Sequence, residues 1–344
     1  MGKIRVGLIR CDTHGMYYGP QMAKHDPALF DLPTPWEPDP RHSWMRGGNH
    51  YYFYTNYGDP RQMTAPVVEG FEVVKLWDEQ RSVAEVASRV LCGKPQVCDS
   101  LEEVSEDVDL VFIGDCNGDG SDHLELASPG LKKGVTTFVD KPFAHRLDDV
   151  KQLLELAAGH NVPVMSLSIL QMVPGIRHFA RRLEELGHAQ FGTIQGGGTH
   201  RAGLIHTTCM ALTVFGSGVS TVRAVTGPSH TSVHLDWDQQ PDRPEHGVMI
   251  NCDAGTAWHC SMHLSAYGPG ARGAIHSPGI GDWEFPEGSA EILRLVKKMV
   301  ETGKRQGPVD QMIEAVAIAD AADQAIATGQ PCEVQSTAGL ARTE

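Results

Sequence analysis

The 344-residue chain has no apolar run reaching 18 residues, and its first strand is not preceded by a charged stretch and an apolar core of signal type. No membrane-spanning or export segment is therefore expected. Basic runs are missing too, and a net charge of −14 argues against a nucleic-acid partner. The eight cysteines stand singly, without one C-x-x-C pair. That pattern fits reduced thiols in a cytoplasmic chain better than a disulfide framework or a zinc knuckle. The turn after the first apolar run, near the N-terminus, also lacks an intact G-x-G-x-x-G. Aromatic residues make up only 7% of the chain, yet Trp36, Trp44, Tyr51, Tyr52, Phe53, Tyr54 and Tyr57 crowd into one stretch.

What is present belongs to an ordinary globular protein, with 41% hydrophobic and 21% charged residues. The length is too great for one core and suits two domains, read as 1–143 and 144–344. Ile4 to Ile9 reads as a first strand, and the turn after it is Arg10-Cys11-Asp12-Thr13-His14-Gly15. In a dinucleotide-binding unit that turn cradles the pyrophosphate, because glycines let the backbone and a helix N-terminus approach it. Arg10, Asp12, Thr13, His14 and Gly15 are candidate cofactor residues on position alone. Asp12 would face a phosphate with like charge, partly offset by Arg10. Gly19-Pro20 is expected to compromise the helix that follows. Two readings stay open: a divergent turn that admits a cofactor in a shifted pose, or a remodelled or lost site.

Asp31 to Gly70 is longer than a minimal unit needs and is read as an insertion over the active site or against a neighbouring subunit. Arg41, His42, Arg46, Asn49 and His50 could meet an acidic or polyhydroxylated ligand there. A solvated flank around an aromatic plug is the competing view. Phe71 to Leu76 is a second strand, followed by Asp78, placed to take ribose hydroxyls and to favour NAD over NADP.

The organising stretch is Val108 to Phe143. An apolar run through Ile113 reads as a parallel-sheet core strand. A polar loop from Asp115 to Asp122 follows, then a helix from His123 interrupted at Pro129-Gly130, then a strand ending at Asp140-Lys141-Pro142. In such a βαβ unit ligands bind at the carboxyl ends of the strands, where both polar clusters lie.

Asp109 to Phe143 resembles the Gfo/Idh/MocA family of nicotinamide-dependent sugar oxidoreductases. Asn117 and His123 match the family's loop pattern, and Asp140-Lys141-Pro142 matches its Glu-Lys-Pro with Asp for Glu. The resemblance continues through Thr199 to His206, where the family carries D-x-G-x-H at a helix start. His206 matches that histidine, while Ala202 stands where the acid would be. It implies an α/β fold, with an N-terminal Rossmann-type doubly wound parallel sheet followed by an α+β domain built on a large open, mostly antiparallel sheet. It implies NAD as cofactor, held by Arg10, Asp12, Thr13, His14, Gly15, Asp78, Asp115, Asn117, His123, Asp140 and Lys141. Lys141 and His206 become the catalytic pair, and His200 and Arg201 candidates for substrate binding. Hydride transfer at a sugar carbon needs a group to move the hydroxyl proton and a cation to steady the alkoxide, and these two residue types supply both. A small polar, sugar-like substrate and a homo-oligomer, dimer or tetramer, paired through the C-terminal sheet are also implied.

His259 and His263 alternate in an expected strand, but no compact ligand motif accompanies them and no metal residue is assigned. Two other reaction classes remain open. One is a nicotinamide-independent, possibly metal-dependent lyase, hydrolase or isomerase on a sugar derivative in the same cleft; the other is a non-catalytic sugar sensor.

Overall fold

A computed structural model describes residues 2–340 apart from 32, 33, 35, 117, 198, 199, 229 and 254–261. Six short segments make the first sheet: β1 (Ile4–Ile9), β2 (Phe71–Trp77), β3 (Gln96–Val97), β4 (Leu110–Ile113), β5 (Thr136–Val139) and β6 (Val164–Ser166). They run parallel in the order β3-β2-β1-β4-β5-β6. β4 is buried at every residue, as a strand covered by helices on both faces must be. The order reverses between β1 and β4, and the crevice above that reversal is where a doubly wound sheet takes its ligand.

Two helix breaks expected from the sequence are absent. The helix Gly15–Met22 runs through Pro20, with every residue buried. The helix His123–Lys132 runs through Pro129 and Gly130. There the glycine has a packing reason, since a Cβ on Gly130 would lie 2.9 Å from Val111 Cγ2 of β4. Close approach of helix to sheet outweighs the proline's missing hydrogen bond and the glycine's propensity cost.

The insertion is a folded arm. Short helices Pro27–Asp31, Pro40–Arg46 and Gly48–Phe53 wrap over the β1 turn, the second and third meeting at Gly47 with φ 84°. Trp44 is fully buried, meets Phe30 edge to face, and donates its indole N–H to the Cys11 carbonyl at 2.8 Å. Phe53 packs against Tyr17. The arm is thus both an aromatic plug against its own chain and a wall of the cavity described below.

The second sheet contains β7 (Phe191–Gln195), β8 (Thr221–Thr226), β9 (His230–Asp236), β10 (Val248–Asp253), β11 (His263–Tyr267), β12 (Ala274–His276) and β13 (Cys332–Glu333). Their order is β12-β11-β7-β10-β9-β8-β13, antiparallel except where β10 meets β7. The helices His200–Phe215 and Val309–Thr328 cover one face; a Cβ on Gly192 would meet the Phe215 ring at 2.5 Å. Among the described residues, no helix is long and apolar enough to cross a membrane. His259 lies outside the described residues, and His263 stacks near His276 with ring centroids 6.1 Å apart.

Candidate active site

A cavity of about 410 Å³ opens at the strand-order reversal, between the first sheet, the arm and the helix His200–Phe215. Thr13 and His14 reach it from the β1 turn, Cys116 from the end of β4, and Asp140 and Lys141 from the end of β5. Ala202, Gly203 and His206 face it from the long helix, and Asn49, Tyr52, Asp282 and Phe285 complete the wall. Lys141 and His206, 65 residues apart in sequence, therefore share one cavity.

Lys141 is 1% exposed. Among the described residues, no hydrogen bond or ion pair holds its ammonium, although Asp115 feels its charge. A buried cation without a partner is costly, so its environment suits an incoming oxygen ligand. His206 Nδ1 lies 2.9 Å from the Ser168 hydroxyl, which orients the ring. Behind Lys141, His123 links the Pro142 carbonyl (Nδ1, 2.7 Å) to Asp115 Oδ2 (Nε2, 3.1 Å), fixing the turn that carries the lysine. Burial works against charge on His123, but the Asp115 hydrogen bond outweighs it and raises its pKa. Burial likewise opposes ionisation of Asp115, yet His123 and Arg10 hold it well below the usual carboxylate range.

The phosphate-cradle residues are arranged differently from expectation. Asp12 Oδ1 accepts the amides of His14 at 2.9 Å and Gly15 at 3.1 Å, and Oδ2 accepts that of Cys116 at 2.6 Å. Its carboxylate thus occupies the helix N-terminus that a pyrophosphate would use. Burial raises its pKa to about 7, helped by Asp115. Arg10 is turned away from any phosphate; it pairs with Asp115 at 3.2 Å, Glu79 at 2.9 Å and Asp122. Asp115, Asp122 and His123 converge closely, and the cation among them is this guanidinium. Asp78 accepts the amides of Cys11 at 2.8 Å and Gln80 at 2.9 Å, with His42 at 3.9 Å. Gly15 admits no side chain, since a Cβ would meet the Arg10 carbonyl at 2.1 Å.

The fit to a dinucleotide is consequently split. Thr13, His14, Cys116, Asp140 and Lys141 border open space suited to a nicotinamide end. A pyrophosphate on the usual path requires the Asp12 carboxylate to release three amides.

Other candidates fall elsewhere. Arg201 does not reach substrate space: it is 7% exposed, pairs with Asp323 at 2.8 Å and Asp320 at 3.1 Å, and donates to the His145 carbonyl. The side chain of His200 and all of Asn117 lie outside the described residues. Of the five arm residues expected to meet a ligand, Asn49 alone lines the cavity; Arg41 approaches Glu79, Arg46 pairs with Glu37, His42 is buried and His50 stacks on Tyr54. Cys116, Tyr52, Ser168 and Asp282 are not singled out as site residues by the sequence: Cys116 and Tyr52 lie in stretches read for other residues, and Ser168 and Asp282 arrive by long-range contacts.

Residues 50–167 match the Gfo/Idh/MocA family model, described as an oxidoreductase family with an NAD-binding Rossmann fold. No curated protein matches the chain in sequence. Among solved structures, a putative myo-inositol dehydrogenase from Sinorhizobium meliloti is similar at TM-score 0.69 and 15% identity, covering 96% of this chain and 100% of that one. The myo-inositol dehydrogenase of Lactobacillus casei, solved with NAD(H) and myo-inositol, has TM-score 0.68 and 16% identity over 99% of this chain and 100% of its own. A probable dehydrogenase from Thermotoga maritima gives 0.69 and 14% over 96% and 99%. At such identities the likeness is one of fold, and it bears out the two-sheet architecture expected from the sequence. The family's NAD-binding description agrees with NAD as the expected cofactor, and the lyase alternative draws no support from any of these relatives.

Proposed function

We propose, for a chain that carries the Gfo/Idh/MocA pattern at residues 50–167 and the fold of inositol dehydrogenases throughout, that it oxidises or reduces a hydroxyl-bearing carbon of a sugar or polyol, with NAD as its redox partner. The observation that carries this reading is the buried Lys141 ammonium, unpartnered among the described residues, in the same cavity as His206. NAD, when bound, supplies the hydride acceptor or donor, with Thr13, His14, Cys116, Asp140 and Lys141 bordering its nicotinamide end.

The chain's own residues do the rest. Lys141 binds the reacting hydroxyl oxygen and stabilises the negative charge that develops on it. His206, oriented by Ser168, moves the hydroxyl proton. Asn49, Tyr52 and Asp282 offer hydrogen bonds to further hydroxyls, and Tyr17 and Phe285 present apolar surface against the ring face. Burial of Lys141 limits water around the developing charge, which strengthens its contribution. In solution we expect a homodimer or homotetramer paired through the half-exposed face of the second sheet, which carries Thr193, Ser232, Met249 and Asn251.

The test is a panel of inositols, aldoses and polyols with NAD and NADP, following nicotinamide fluorescence. NAD-dependent turnover of at least one polyol, lost in Lys141→Ala, supports the reading. Turnover that survives Lys141→Ala, or no nicotinamide reduction across the panel, overturns it.

A further inference from the structure

Cys116 holds a place unlike the other described cysteines. It is 5% exposed and lines the cavity, on the loop that leaves β4. Cys11, Cys98, Cys209 and Cys252 are buried outside the cavity, where burial raises their thiol pKa, and Cys92 is exposed on the surface. Beside Cys116 stands His14, whose ring also borders the cavity. His14 Nδ1 lies 2.5 Å from Asp140 Oδ2, and Asp140 is 2% exposed and steadied by the Asp115 amide at 3.3 Å. With Nδ1 engaged by the carboxylate, Nε2 is left for the thiol. Burial opposes charge on this ring, but Cys116 and the hydrogen-bonded Asp140 carboxylate hold its pKa well above the usual imidazole range.

Thiol, imidazole and carboxylate thus stand in the order that activates a cysteine nucleophile: the ring takes the thiol proton and the acid orients the ring. A second, independent feature of the same cavity points to an oxygen ligand. Lys141, 1% exposed and unpartnered among the described residues, presents an ammonium where a carbonyl oxygen would gain charge.

We infer that Cys116, His14 and Asp140 form a nucleophilic relay that captures the aldehyde of a polyhydroxylated compound, such as an open-chain aldose, as a reversible thiohemiacetal. The Cys116 sulfur forms a bond to the carbonyl carbon as the C=O π bond breaks. The oxygen takes up the proton that left the thiol by way of His14, with Lys141 steadying it before the proton arrives. Nothing is oxidised or reduced, and no co-reactant is consumed. This activity shares a cavity with the hydride-transfer reading and does not depend on it, because thiol reactivity is read without nicotinamide.

The experiment is timed alkylation of the full-length protein with iodoacetamide at pH 7, each cysteine followed by peptide mass spectrometry. In the unaltered protein Cys116 is alkylated, DL-glyceraldehyde slows that reaction, and glycerol, which lacks the carbonyl, does not. His14→Ala slows labelling at Cys116 about tenfold, leaves Cys92 unchanged, and is partly restored by added imidazole. Asp140→Asn lies between the two. His14→Gln repeats the measurement in a ring-free side chain of similar bulk, in case the alanine variant fails to fold. Unlabelled Cys116, or labelling at the unaltered rate in both His14 variants, overturns the relay. Equal protection by glycerol and glyceraldehyde overturns the aldehyde as its ligand.

Discussion

Asp12 Oδ2 accepts the backbone amide of Cys116 at 2.6 Å, joining the N-terminus of the first helix to the loop beyond β4. The bond spans 104 positions of sequence and closes the path a pyrophosphate takes in a fold of this kind. Asp12→Gly restores one glycine of the fingerprint and frees the amides of His14, Gly15 and Cys116. We expect NADH to bind this variant at least about tenfold more tightly, roughly 1.4 kcal/mol, by fluorescence titration. Equal affinities would mean that the carboxylate moves aside at no cost.

The same residue gives binding a pH dependence. Burial raises the Asp12 pKa from 3.8 to about 7, so the group is neutral below that range and charged above it. Repulsion of a phosphate is therefore present at pH 8 and relieved at pH 6. NAD affinity measured by calorimetry should rise on going from pH 8 to 6 in the unaltered protein, and stay flat in Asp12→Gly. A slope that persists in the variant would assign the effect to another group.

Lys141→Ala removes the one buried ammonium in the cavity. Turnover of the best polyol should fall by about 10² to 10⁴ while thermal stability holds or improves, since a desolvated charge has gone. His206→Ala should cost a similar factor. Ser168→Ala, which leaves the imidazole and loosens its orientation, should cost less than either.

Arg201 predicts the opposite pattern. It ties the start of the helix His200–Phe215 to Asp320 and Asp323 on the last helix and to the His145 carbonyl. Arg201→Met leaves two partly buried carboxylates without this cation and should destabilise by about 3 kcal/mol in urea unfolding. The polyol KM of the folded fraction should not change. A raised KM at unaltered stability would return Arg201 to the substrate.

Tyr52 donates to Asp282 Oδ2 at 2.8 Å, pinning the arm across the cavity mouth. Tyr52→Phe keeps the ring and loses that bond. We expect KM to rise several-fold with kcat nearly constant, and the global unfolding free energy to change by no more than about 1 kcal/mol.

Strands β1, β2, β4 and β5 of the first sheet were legible because their information is local. A β-branched or aliphatic run of four to six residues, apolar on both faces and ended by polar turn residues, can satisfy its burial only in a covered parallel sheet. Ile4–Ile9 came out to the residue. The placement of Lys141 at a strand end followed from the same reasoning, and its meeting with His206 from the family likeness. What only tertiary structure decided is which partner each polar side chain takes. Arg10 and Asp12 occupy phosphate-cradle positions, yet Arg10 turns to three acids and Asp12 to three amides, because buried charges must find partners wherever the fold supplies them. Arg201 went to the last helix for the same reason. Pro20 and Pro129 read locally as breaks, and packing against the sheet overrode them. Cys116 lies between the candidates Asp115 and Asn117, yet nothing local marks its thiol as a reactive group. Its setting arises where three strand ends converge, at separations over which sequence periodicity carries no information.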